Sequence, residues 1–348
     1  MAYTTINKST DYFNTKIYTG DATTSHAITG INFQPDMTWI KSRTSTDTHA
    51  IFDAVRGATK RIIPDNNTAE GTQSNGLTSF DSDGFTLGDA GLVNQNYNYA
   101  SWNWLANGTG SANTYGSINS TVSVNQTAGF SIVKWTGTQS LGTVGHGLNS
   151  VPKMIIIKNT SALENWIVYH NSLGNTKNLY LDEANAEHTR SDTFNNTSPT
   201  SSVFTVNTAT GVNKTGSTMI AYCFEEKTGY SKFGSYTGNG STDGTFIYTG
   251  FKPAFLIVKN TNAGEAWGMH DNKRPGLGNG NAPVGHFELQ PNLTNAENSS
   301  GAAGQIDFLS NGFKLRTATN SLNVTQNYIY MAFGQSLVGS NNVPCTAR

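Results

Sequence analysis

Two tetrapeptides place an acid three residues before an arginine: Asp53-Ala-Val-Arg56 and Asp271-Asn-Lys-Arg274. At the corner where a strand turns, that spacing allows a charge-assisted hydrogen bond that fixes the turn, or a polar contact for a ligand or partner. Trp39, Trp166 and Trp267 offer flat faces on which sugar rings stack, although a fixed place in a repeat would equally make them core. These seven side chains are the binding candidates. Asp81-Ser-Asp-Gly84 starts like a calcium loop, but Phe85-Thr-Leu-Gly88 supplies none of the later ligands. Glu225-Glu226 and Asp182-Glu183 are adjacent, and adjacent strand residues point to opposite faces, so neither pair makes a glycosidase dyad. His146 and His170 lack partners at metal-ligand spacing. The Gly-rich segments 238–244 and 276–280 lack the Lys-Ser/Thr of a phosphate loop, and no nucleophile-elbow or zinc-protease sequence occurs. The expectation is no enzyme, no cofactor and no metal.

The elements that hold these residues repeat. Tyr18-Thr19-Gly20 is followed by Pro35, Lys41 and His49; Trp135-Thr136-Gly137 by Pro152, Lys158 and Trp166; Tyr236-Thr237-Gly238 by Pro253, Lys259 and Trp267. In each copy Gly to Pro is 15 residues, Pro to Lys 6, and Lys to the next ring 8. Between Pro and Lys runs one strand in three versions. Two of them, Met154–Ile157 and Phe255–Val258, are continuous apolar runs, the pattern of a strand covered on both faces. Each copy ends on an aromatic strand, in which Trp102 and Trp104 share a face, as do Tyr222 and Phe224; Cys223 falls opposite as an inert residue. The expected fold is all-β: three tandem antiparallel sandwiches, jelly-roll-like, at 17–115, 116–232 and 233–338. An N-terminal arm (1–16) and a C-terminal tail (339–348) flank them.

Composition agrees with short strands and many turns. Charged residues are 13% of the 348, and there are 36 Gly, 46 Thr and 40 Asn, all poor in helix interiors. The 11% aromatic content is enough to build cores and argues against disorder. A net charge of −1 gives no footprint for nucleic acid. No apolar run is long enough for a membrane helix, and the N-terminus has no signal-peptide pattern.

Several segments resemble a family of bacteriophage virion proteins common in marine phages: Phe52-Asp-Ala-Val-Arg56-Gly-Ala-Thr-Lys60, Leu77-Thr-Ser-Phe-Asp-Ser-Asp-Gly-Phe85 and Trp102-Asn-Trp-Leu-Ala106. So do Lys232-Phe-Gly-Ser-Tyr-Thr-Gly-Asn-Gly-Ser241, Tyr248-Thr-Gly-Phe-Lys-Pro253 and Val343-Pro-Cys-Thr-Ala-Arg348. The resemblance implies a structural protein of the virion, made in the host cytoplasm and contacting other virion proteins. Such proteins are usually labelled tail fibre or structural protein, and no functional residues carry over.

Three roles are compatible with it. A tail-fibre or receptor-binding component would hold a host surface glycan or protein with loops on a β scaffold. A capsid decoration protein would clamp neighbours with its terminal arms. A polysaccharide-cleaving tailspike would need a carboxylate pair assembled from distant residues. A homotrimer is expected by analogy with phage appendages. Because the shared frame reads as scaffold, binding is expected where the copies differ: loops 57–78, 171–200 and 275–306, and the two arms.

Overall fold

The structure is a computed structural model that describes residues 3–274, 287–297 and 305–339. It is all-β. Three four-stranded antiparallel sheets dominate it, and they share one strand order. In the first, β1 (Phe13–Thr19), β2 (Met37–Ser42), β3 (Ala50–Asp53) and β4 (Asn98–Trp104) lie in the order β1-β4-β2-β3. In the second, β5 (Phe130–Thr136), β6 (Met154–Asn159), β7 (Ile167–His170) and β8 (Thr218–Phe224) lie in the order β5-β8-β6-β7. In the third, β9 (Ser231–Thr237), β10 (Lys252–Asn260), β11 (Gly268–Asp271) and β12 (Asn327–Gln335) repeat it as β9-β12-β10-β11. The second sheet is widened to eight strands by Ser111–Asn113 and Ser120–Asn125 on one side and by Lys177–Tyr180 and His188–Thr189 on the other. β1 begins at Phe13, so its first residues lie in the segment assigned above to the arm. β9 likewise begins just ahead of residue 233.

Each large sheet faces a small one of two or three strands: Gly84–Leu87 with its neighbours, Gly142–Gly145 with Val203–Val206, and Gly312–Leu315 with its neighbours. The small-sheet side has its own apolar core in each sandwich. The opposite faces of all three large sheets meet in one shared core.

The alternation of side chains along a strand explains this double burial. In β6, Ile155 and Ile157 fill the private core while Met154 and Ile156 enter the shared one. In β10, Leu256 and Val258 face inward to their sandwich, and Phe255 and Ile257 face the other sandwiches. The apolar runs are thus continuous because both faces are covered. At the centre, Trp104, Phe224 and Phe333, the corresponding rings of the three closing strands, form a triangle with centroids 6.0 to 6.3 Å apart.

One turn requirement also recurs. Gly20, Gly137 and Gly238 each follow the first strand of a sandwich. A Cβ there would lie 1.9, 2.2 and 2.1 Å from the carbonyl oxygens of Gln95, Lys214 and Val324. The repeated Thr-Gly is therefore a packing constraint.

Candidate functional site

The Asp–Arg corners are local turn clasps first. Asp53 closes the end of β3: its Oδ1 accepts the Arg56 backbone N–H at 2.9 Å and its Oδ2 accepts Arg56 Nε at 2.5 Å. Asp271, at the end of β11, accepts the Arg274 N–H at 3.0 Å and Arg274 Nε at 2.6 Å. Each guanidinium also donates back to its own strand, Arg56 Nη2 to Ile51 O and Arg274 Nη2 to Met269 O. Both pairs are buried. Burial disfavours each guanidinium's charge, but the adjacent carboxylates outweigh it, so both arginines have raised pKa values.

The same carboxylates then reach across to a neighbouring sandwich. Tyr222 on β8 donates its hydroxyl to Asp53 Oδ2 at 2.7 Å. Trp102 on β4 donates Nε1 to Asp271 Oδ2 at 3.0 Å, and the Arg274 guanidinium sits 5.6 Å from its ring centre. The second sandwich carries His170 and Leu173 at these positions. There the neighbouring closing strand presents Met331, which has no donor, and His170 Nε2 contacts Tyr330 O at 3.2 Å instead. Acid, arginine and polar ring are absent together.

The tryptophan candidates are buried at the same seams. Trp166 Nε1 donates to Ile63 O of the first sandwich, and Trp267 Nε1 to Tyr180 O of the second, both at 2.9 Å. The first sandwich uses a relay: Trp39 Nε1 donates to His49 Nδ1 at 2.9 Å, and His49 Nε2 contacts Gln290 O of the third at 3.1 Å. Accepting at Nδ1 fixes His49 as the neutral Nε2–H tautomer. Burial holds its pKa down at about 3. All seven candidates therefore lie buried at or beside the seams between sandwiches, and none turns its side chain to solvent.

The repeated lysine is the next link. Lys41, Lys158 and Lys259 are buried and donate to carbonyls of the turn that follows them, with Ser45 O at 3.0 Å and Glu265 O at 2.7 Å as examples. Lys158 also donates to Asn67 O of the first sandwich and Lys259 to Ala184 O of the second, both at 2.9 Å. Burial pushes each ammonium down to about 8.

Those acceptors lie in the loops expected above to differ freely and to bind. Glu70 N donates to Thr160 O at 2.8 Å, Glu187 N to Thr261 O at 3.0 Å, and Glu297 N to Arg43 O at 2.8 Å. Each loop thus docks on the next sandwich, two residues beyond its lysine or that lysine's equivalent. Glu297 also bridges, accepting Arg274 Nη1 at 3.0 Å and Arg43 Nη2 at 2.8 Å. Residues 275–286 and 298–304 of the third loop, and tail residues 340–348, lie outside the described residues.

A signal for these contacts was present in the sequence. Ala69-Glu70, Ala186-Glu187 and Ala296-Glu297 recur five residues after Asp65, Asp182 and Asn292. Those three side chains accept the backbone N–H of His49, Trp166 and Trp267. Burial raises Asp65 and Asp182 to about 6. Asn94, Asn213 and Asn323 form a further buried set. Each accepts the N–H of the residue after the repeated glycine.

A family model matches residues 8–336, from the arm to the end of the third sandwich. The chain belongs to the family described as domain of unknown function DUF7483. No curated protein matches it. The matched span of the DUF7483 chain takes in all three large sheets and the seams between them. Among the described residues, no group of three or more His, Cys, Asp or Glu is arranged to hold a metal, and no helix is long and apolar enough to cross a membrane.

Proposed function

We propose that this chain is a non-enzymatic structural protein of a phage particle, serving as a tail or receptor-binding component that contacts the host surface. The observation that carries the reading is the ring of three seams, first to second, second to third and third to first. Loops and ring residues of each sandwich, and the lysines of the second and third, are anchored in a neighbouring sandwich, which makes one chain a rigid three-part body. Such a body suits the task of presenting surfaces at fixed spacing under mechanical load, and the resemblance to virion proteins supplies the setting.

Capsid decoration is the second reading, in which the terminal arms, lying outside the repeat frame, clamp neighbouring subunits. The N-terminal arm instead packs on its own chain: Ile6 enters the shared core, Ser9 N donates to Gln335 Oε1 at 2.7 Å, and the Tyr3 hydroxyl donates to Gly250 O at 2.8 Å. This favours the tail reading. The homotrimer belongs to the proposal as well, with a solution mass of three 37.4 kDa chains as its test.

The deciding experiment is quantitative mass spectrometry of purified particles with an adsorption assay. A few to a few dozen copies, with purified protein competing for host cells, supports the tail role. Hundreds of copies would move the protein to the capsid surface, and absence from particles would overturn the virion reading.

A further inference from the structure

The three seams are related in construction but not in content, and one of them is open. Where the first sandwich meets the third, a cleft of about 720 Å³ lies between the arm and β1 on one side and β10 and the corner after β11 on the other. That volume is in the usual range for a small-ligand site. Three lysines line it, Lys8, Lys252 and Lys273, and no carboxylate does. Lys8 is paired with Asp11 at 2.8 Å. Lys252 and Lys273 have no ion-pair partner among the described residues, so two positive charges face the space unneutralised. Ser9 and Thr10 add hydroxyls, and Asn272 adds an amide.

Thr15 is the second, independent observation. It is 5% exposed, it lines the cleft, and its Oγ1 has no hydrogen-bond partner among the described residues. A buried hydroxyl without a partner has lost its water and gained nothing in exchange, so a ligand that bonds it recovers that loss. At the corresponding place the second sandwich has Ile132 and the third has Phe233, both packed in the shared core. The places of Lys252 and Lys273 are taken in the first sandwich by Gln34 and Val55, and in the second by Val151 and Ser172. At the seam of the first and second sandwiches, Lys134 spans the gap and donates to Val55 O at 3.1 Å. The open seam thus replaces apolar filling with a hydroxyl and two free ammoniums.

We propose that this cleft binds an acidic oligosaccharide, with its anionic groups between Lys252 and Lys273 and a sugar hydroxyl on Thr15 Oγ1. The ligand class rests on the host-contact reading above; the anion site itself does not.

The test is calorimetric titration of the full chain with trigalacturonate, neutral maltotriose and sodium sulfate at low salt. Trigalacturonate is expected to bind at least about tenfold more tightly than maltotriose, as loss of charge pairing predicts. Lys252→Gln/Lys273→Gln, at exposed positions, should reduce that binding about tenfold or more. Lys153→Gln at the neighbouring seam should leave it unchanged. Thr15→Ile, which copies the second sandwich, should also weaken it, and the lysine pair decides if that variant does not fold. Equal binding of maltotriose, no binding of trigalacturonate, or indifference to the lysine pair overturns the proposal. Sulfate binding as tightly as trigalacturonate overturns the saccharide assignment. These outcomes are separable from failure of the virion reading, which depends on particle composition alone.

Discussion

The seam between the first and third sandwiches and the seam between the second and third solve one geometric problem with opposite chemistry. The former holds a chain of four charges, Asp271–Arg274–Glu297–Arg43, joined to the first sandwich at one end by the Trp102 indole and at the other by Arg43. The latter has Met331, His170 and Leu173 at the corresponding places. A buried ion pair gains little over an apolar replacement of similar size, yet removing one member leaves a charge stranded in low dielectric. The comparison teaches that the ionic corner is a correlated unit, kept or lost whole, so a half-replaced corner should be far worse than either solution.

The largest expected effect breaks the unit. Arg274→Leu leaves Asp271 buried without its guanidinium and should lower unfolding free energy by about 3–5 kcal/mol in urea titration. A loss below about 1 kcal/mol would mean the corner is not a unit. Arg56→Leu should cost somewhat less, because its second carboxylate partner, Glu70, is more exposed than Glu297 and is better solvated once the guanidinium is gone. The sharper form of the comparison is a transplant. Asp53→His/Arg56→Leu/Tyr222→Met gives the first corner the residues of the second and should return stability to within about 2 kcal/mol of the parent.

Smaller effects address the ring residues. Trp166→Phe keeps the packing but removes the bond to Ile63 O, for about 1 kcal/mol. The loosened segment should also show faster amide exchange at Ile62 and Ile63.

The His49 relay gives a pH signature. Its folded pKa, about 3, lies below the ordinary 6.5, so its contribution is complete above about pH 6.5 and fades as pH falls towards 3. The stability gap between the parent and His49→Gln should therefore narrow from pH 7.5 to 4.5, and a gap that widens would contradict a buried neutral imidazole. Asp65 and Asp182 run the other way. Their folded pKa values near 6 make their contribution complete below about pH 3.8 and lost as pH rises through 6. Total stability should thus vary less with acid than the His49 difference does.

Much of this was legible before any coordinates. The repeated glycine, proline, lysine and ring positions follow from backbone geometry and strand patterning, which are local or short-range and leave fixed offsets in a chain. The Asp53 and Asp271 corners were legible as turn clasps because acid and arginine sit three residues apart. Glu70, Glu187 and Glu297 were harder to find. Nine more residues separate Trp267 from Glu297 than separate the other ring positions from their glutamates, and a rigid offset search fails across such an insertion.

The sequence by itself determined an all-β chain with strands covered on both faces, because period-two alternation and continuous apolar runs encode burial directly. Only the tertiary structure decided what covers the second face. Trp104, Phe224 and Phe333 are far apart in the chain, and nothing local says that their strands meet. Which loop docks on which sandwich was decided at the same level, since complementarity between distant surfaces has no period to read. The open seam behind Thr15 became visible there as well, once its neighbours Lys252 and Lys273 were brought alongside it.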